Sequence, residues 1–121
     1  MKKFTILGMV AVLVLCAGML TAAAVKFDLK PWGIIFPGSS GHAILNYAQG
    51  AGTTEVQVNC WGLPEDTYTI YLETAGFTSI GTFTTKKNGS GNFHIKLVGD
   101  HTLGVVAVAV NNSVGTVLYS K

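Results

Sequence analysis

From Val25 to Lys121 the chain runs in short stretches of alternating apolar and polar residues, and turn residues interrupt them every eight to twelve positions. Successive side chains on an extended strand point to opposite faces, so this period of two is what a half-buried strand requires. An amphipathic helix needs apolar residues three and four apart, and that spacing is absent beyond Val25. Thr and Val supply 21 of these 97 residues, and β-branched side chains suit a pleated surface. The pattern predicts strands near 25–29, 42–48, 54–61, 67–74, 79–85, 92–98, 104–110 and 114–120. Seven or eight short strands without helices define an all-β class, here a small antiparallel β-sandwich or a barrel.

The first residues differ in kind. Lys2 and Lys3 precede twenty-two uncharged residues, Phe4 to Val25, and Ala22 and Ala24 occupy the −3 and −1 places of an A-x-A cleavage site. The segment predicts a signal peptide over 1–24 and a single domain over 25–121. The alternative is an uncleaved anchor, because twenty-two helical residues at about 1.5 Å each span a hydrocarbon core of roughly 30 Å. Under either reading the two lysines stay inside and the domain is exported, secreted or extracytoplasmic, touching membrane only through residues 4–25 if uncleaved. Leu13-Val14-Leu15-Cys16 has the outline of a lipobox, but bulky Leu15 stands where a small residue belongs, which argues against a lipid on Cys16.

Past the leader six Lys face six Asp and Glu, with no Arg, so the exported domain is formally neutral. Without a basic surplus no counterion release drives binding to phosphate backbones, which excludes nucleic acid as an expected partner. Removal of Cys16 leaves Cys60 alone, and no disulfide can form within one chain. Val56, Val58 and Cys60 share one phase of their strand, which puts the thiol in the core as a small hydrophobe. By the same phase rule Tyr68, Ile70 and Leu72 enter the core against outward Thr69, Tyr71 and Glu73, and Phe93, Ile95 and Leu97 enter it against His94 and Lys96. Asn88-Gly89 and Asn111-Asn112-Ser113 mark two tight hairpins. The run Val105–Val110, apolar on both phases, predicts a central strand covered on both sides.

Leu63-Pro64-Glu65-Asp66-Thr67-Tyr68 resembles the stretch of fibronectin-III-like and immunoglobulin-like sandwiches that carries a tyrosine corner, in which the tyrosine hydroxyl bonds back to nearby backbone. The resemblance implies an immunoglobulin-like sandwich with Tyr68 as that tyrosine. It also implies that strands 54–61 and 67–74 lie in opposite sheets; an ordinary hairpin loop at 62–66 would instead pair them directly. The longer pattern through Ile80-Gly81-Thr82-Phe83 and Gly89 looks like the extracellular sandwich of anti-sigma-K-type membrane proteins. Their intracellular activity does not carry over, because only Met1, Lys2 and Lys3 precede the apolar segment.

Residues that could carry chemistry are sparse. His42, His94 and His101 are too far apart for a local metal motif; convergence of His94, Asp100 and His101 would be needed, and surface histidines are the simpler reading. Ser39-Ser40-Gly41-His42 lacks a nucleophile elbow, Glu65-Asp66 solvates a loop, and Gly50-Ala51-Gly52 is no phosphate loop. No cofactor is implied. Trp61 and Tyr71 take outward phases and Trp32 lies in a proline-bounded loop, so these three aromatics form the candidate ligand platform; the bland alternative is that the tryptophans cap the core. Asn88 and Asn111 each begin an N-glycosylation sequon placed in a predicted turn. These residues point to an exported, non-enzymatic module acting in envelope structure or by contact with an extracellular protein. The alternative is a domain that binds a glycan or small ligand through its aromatics. Pairing along an open strand edge is a further route to contact, with Pro31 and Pro37 expected to guard one edge.

Overall fold

The computed structural model describes residues 22–33 and 36–121; the predicted leader up to residue 21 lies outside them. All eight predicted strands are present: β1 (Ala22–Pro31), β2 (Ser40–Ala48), β3 (Thr53–Trp61), β4 (Thr67–Glu73), β5 (Phe77–Thr84), β6 (Gly91–Val98), β7 (Ala107–Asn111) and β8 (Thr116–Tyr119). Every pairing is antiparallel, and no helix occurs among the described residues. β1 starts at Ala22, three residues ahead of the predicted cleavage point. A chain cut after Ala24 keeps the pairs from Val25 with Leu45 to Leu29 with Gly41.

The strands form one sheet in the order β5-β4-β7-β8-β1-β2-β3-β6, curled almost into a barrel around a single core. β1 is the seam. Its first eight residues pair with β2, and Lys30 and Pro31 then pair with Tyr119 and Leu118 of β8. β1 thus has β2 beside it over Ala22–Leu29 and β8 beside it over Lys30–Pro31, each residue being paired on one side. Pro31 ends the strand where the chain leaves the sheet, and Pro37 lies in a turn closed by the Ser39 N–H donating to the Phe36 carbonyl at 3.0 Å. β5 and β6 stand at the two ends of the strand order.

Leu45, Val56, Val58 and Cys60 from one half of the sheet meet Tyr68, Ile70, Val108 and Leu118 from the other. Tyr68, Ile70 and Leu72 are buried as their phase requires, whereas on strand β6 Phe93 is buried and Ile95 and Leu97 are half-covered. β7 lies between β4 and β8, and its four apolar residues are all buried. Val108 and Val110 point into the core, and Ala107 and Ala109 lie under side chains on the outer face.

β3 and β4 lie in opposite halves, joined by a corner rather than a hairpin. The Tyr68 hydroxyl donates to the Pro64 carbonyl at 2.7 Å, and buried Thr85 donates to the same oxygen at 2.7 Å while accepting the Asp66 N–H at 3.0 Å. The corner thus satisfies its own backbone groups while the chain changes sides.

Of the two predicted hairpins, β7–β8 forms, with its turn at Asn112–Gly115 and Asn112 Oδ1 accepting the Val114 N–H at 2.9 Å. Asn111 is the last residue of β7, paired with Thr69 and Thr116, and not a turn residue. The other does not form as a hairpin. Gly89, at φ +88°, makes the tight reversal, but the strands it joins sit at opposite ends of the sheet. Aromatic rings separate them: a β-carbon at Gly81 would stand 2.7 Å from the Phe93 ring, and one at Gly91 would stand 2.5 Å from the Phe83 ring. Side-chain packing fills the place that ladder hydrogen bonds would take.

Candidate functional site

Residues opposite one another in adjacent strands share a face, so the register defines what the half β5-β4-β7-β8 shows outward. One row runs Ser79, Tyr71, Ala109, Tyr119, and the next runs Phe77, Glu73, Ala107. Trp32, two residues past the pair Lys30–Tyr119, joins this face and is held there by its N–H donating to the Val117 carbonyl at 2.9 Å. The aromatics form a chain. Trp32 meets Tyr119 edge-on at 4.9 Å between ring centroids, Tyr119 lies 6.3 Å from Phe77, and Phe77 meets Tyr71 edge-on at 6.5 Å.

Ala109 is what allows this arrangement. Its small side chain, between Tyr71 and Tyr119 in the row, leaves a slot of about 120 Å³ bounded by Trp32, Phe77, Tyr119 and Thr116. Trp32 and Phe77 remain 49% and 57% exposed, which is a large apolar area to leave in water. At one end the Tyr119 hydroxyl donates to Glu73 Oε1, and Lys121 Nζ lies 3.7 Å from the same oxygen. The bond to Glu73, desolvation and the carboxylate's charge raise the Tyr119 pKa above its ordinary value.

The opposite outer face is polar. Its rows are Asp28, His42, Asn59, Asn92, then Lys26, Ile44, Gln57, His94, then Asn46, Glu55, Lys96. Trp61 belongs there, its ring tilted against His42 at 5.3 Å between centroids, and His42 also lies 3.3 Å from Asn59 Nδ2. The three aromatics of the expected platform thus do not share a surface. Trp32 and Tyr71 are on one outer face and Trp61 on the other, because β3 and β4 take opposite halves. Phe77 and Tyr119 complete the aromatic face and were not among the sequence candidates. Tyr119 was within a predicted strand, and its alternation with Leu118 could have flagged it; Phe77 preceded the predicted start of its strand.

The remaining candidates disperse. Cys60 is buried, and desolvation pushes its thiol pKa to about 12, where it is inert as a nucleophile. Ser39, also buried, donates from its hydroxyl to the Phe36 carbonyl at 2.6 Å. His94 lies beside Glu55 at 3.6 Å on the polar face, and His101 is in the loop after β6 with Nε2 2.8 Å from the Val98 carbonyl. Among the described residues no three His, Cys, Asp or Glu side chains are grouped to hold a metal. Asn88 is exposed in its turn, its Oδ1 accepting from the Ser90 N–H and hydroxyl, whereas Asn111 is half-buried with its Oδ1 enclosed. No helix among the described residues is long and apolar enough to cross a membrane. Comparison with protein-family models finds no match to this chain, and comparison with curated proteins finds none.

Proposed function

We propose that this chain is an exported, non-enzymatic immunoglobulin-like module that works by contact with another extracellular or envelope protein. The observation that carries the reading is the asymmetry of the two outer faces: one lays Trp32, Tyr119, Phe77 and Tyr71 side by side, and the other is charged and amide-rich. Protein contact surfaces are enriched in aromatic residues and depleted of charge at their centres. Trp32 and Phe77 are anchors of that kind.

The sandwich assignment draws support from connectivity. In order, β2-β3-β6 follow the A-B-E strands of one immunoglobulin sheet, and β8-β7-β4-β5 follow the G-F-C-C′ strands of the other, with β1 added at the seam. The hydroxyl bond of Tyr68 has the chemistry of a tyrosine corner, but Tyr68 opens the strand equivalent to C, whereas that corner ordinarily precedes F. The leader supports export, and cleavage after Ala24 predicts a product beginning at Val25, read by its mass.

The test is a photocrosslinking amino acid at position 77, compared with one at position 94 on the polar face, in cells that make the protein. Crosslinks to a discrete envelope protein from 77 and not from 94 are expected; equal labelling from both refutes the assignment of the face. A glycan is the second reading, favoured by the slot beside Trp32 with the Thr116 side chain at its rim. Binding on a glycan array that is lost in Trp32→Ala but kept in Trp61→Ala would favour it.

A further inference from the structure

A second cavity lies beside the gap where the sheet stops short of closing. β5 and β6 meet through the Phe83 and Phe93 rings over Gly91 and Gly81. Beyond that contact a cleft of about 460 Å³ opens between Thr78–Ile80 of β5 and Leu97 of β6, with the loop 99–106 along its rim. Leu72, Ile80, Leu97, Leu103 and Val105 give it an apolar wall. Small-molecule sites are mostly apolar clefts of roughly 300–1,000 Å³ with a few polar groups, and this one has the size and the lining.

Two edge strands beside a cleft would ordinarily invite an added strand, but β5 is built against that. Gly81 faces Ile70 and Ser79 faces Tyr71, so Ile80 between them has no partner on β4. A bulge interrupts the regular run of donors and acceptors that strand addition uses, and it re-aims the extra side chain. Ile80 packs against the core and lines the cleft. On the β5 side the geometry therefore favours a compact ligand over an added strand.

The polar lining narrows the ligand's chemistry. Thr54, buried, donates to the Gly99 carbonyl at 2.7 Å and accepts the His101 N–H at 2.9 Å, which fixes the loop at the cleft. The Val98 carbonyl can only accept, so His101 Nε2 carries the proton it donates there, and Nδ1 of the neutral ring is an acceptor. Asp100 Oδ1 accepts from the Thr102 N–H and hydroxyl. Among the described residues neither His101 Nδ1 nor Asp100 Oδ2 makes a hydrogen bond. Both residues line the cleft, and both free atoms are acceptors.

We propose that the cleft between β5 and β6 binds a small amphiphile with an apolar body and a hydrogen-bond-donating head, a primary ammonium group. The apolar wall takes the body, and Asp100 with His101 takes the head. Of the aromatic-face rows the site takes in only Ser79, and none of the aromatic rings lines it.

N-Phenyl-1-naphthylamine, whose emission rises in apolar surroundings, is the probe, titrated against the full chain. Saturable enhancement is expected, reversed by decylamine at about tenfold lower concentration than by decanoate. Asp100→Asn should remove that preference. Thr78→Trp, which fills the cleft from an exposed position, should weaken the probe by about tenfold or more, and Trp32→Ala should leave it unchanged. If circular dichroism shows Thr78→Trp misfolded, Leu103→Asp at the exposed rim replaces it. Absence of saturable enhancement, a folded cleft variant that binds normally, or equal displacement by decanoate overturns the proposal. So does loss of the probe in Trp32→Ala, which would assign it to the aromatic face.

Discussion

The carbonyl of Pro64 accepts two hydrogen bonds, from Tyr68 and from Thr85, each at 2.7 Å, and the sharing makes a quantitative expectation. Tyr68→Phe removes one donor while the ring stays fully buried and stacked on Phe83 at 5.7 Å. The carbonyl keeps Thr85, so the loss is that of one net hydrogen bond, about 1 kcal/mol. In a domain of this size that lowers Tm by roughly 4–8 °C. Thr85→Val removes the other donor and also strands the Asp66 N–H, which now bonds to Thr85 Oγ1, so about 1–3 kcal/mol is expected. In the double variant the carbonyl has no donor left. Its desolvation cost then appears for the first time, and the double should be worse than the sum of the singles by about 1 kcal/mol. Urea unfolding of the four proteins, followed by circular dichroism with matched m-values, reads this coupling. Additivity within about 0.3 kcal/mol would mean that water replaces the lost donors, and would refute the account of the corner as a self-satisfied unit.

Gly91→Ala forces a methyl into the Phe83 ring at 2.5 Å and is expected to cost about 1–3 kcal/mol, whereas Gly50→Ala, with open space around it, should stay within about 0.5 kcal/mol in the same assay. Cys60 titrates at 9.0 when unfolded and at about 12 when folded, so the folded state holds the proton more tightly. Its contribution is complete below pH 9 and falls as pH rises toward 12, by up to about 1.4 kcal/mol per pH unit. Raised hydroxyl pKa values at Tyr68 and Tyr119 add a loss of the same sign above pH 10. Urea midpoints from pH 7 to 11 should therefore decline, less steeply in Cys60→Ala; an equal slope in that variant would show that the thiol is not sealed. Trp32→Ala should cost about 1–2 kcal/mol, because about half of a large side chain is buried against Tyr119; a larger loss would make Trp32 a structural cap.

Local alternation made the strands legible, since each phase pattern needs only a few neighbouring residues. It placed Cys60, Tyr68, Ile70 and Leu72 inside and identified the twice-covered strand β7. What alternation does not encode is which half of the sheet a strand joins. Asn88-Gly89 specifies a reversal in either a hairpin or a crossing, and only the packing of Phe83 and Phe93 against Gly91 and Gly81 distinguishes them. Phase alone made Trp61 and Tyr71 both outward, and both are, but on opposite outer faces. Asn111 was misplaced because the ladder runs one residue past the apolar stretch: Asn111 still pairs with Thr69 and Thr116, and the turn begins at Asn112. The contact of Trp32 with Tyr119 depends on β1 crossing from β2 to β8, a long-range pairing that no window of neighbouring residues contains.

That crossing links the timing of folding to the direction of synthesis. The seam strand appears early as the chain is made, but its last two residues have no partner until Leu118 and Tyr119 exist. A nascent chain can zip β1 to β2 and β2 to β3 as they emerge, yet the curl cannot shut before β8 arrives. A truncation that removes β8 would leave Lys30 and Pro31 without their strand and the nearby Trp32 without Tyr119. Closure of the seam therefore waits on β8.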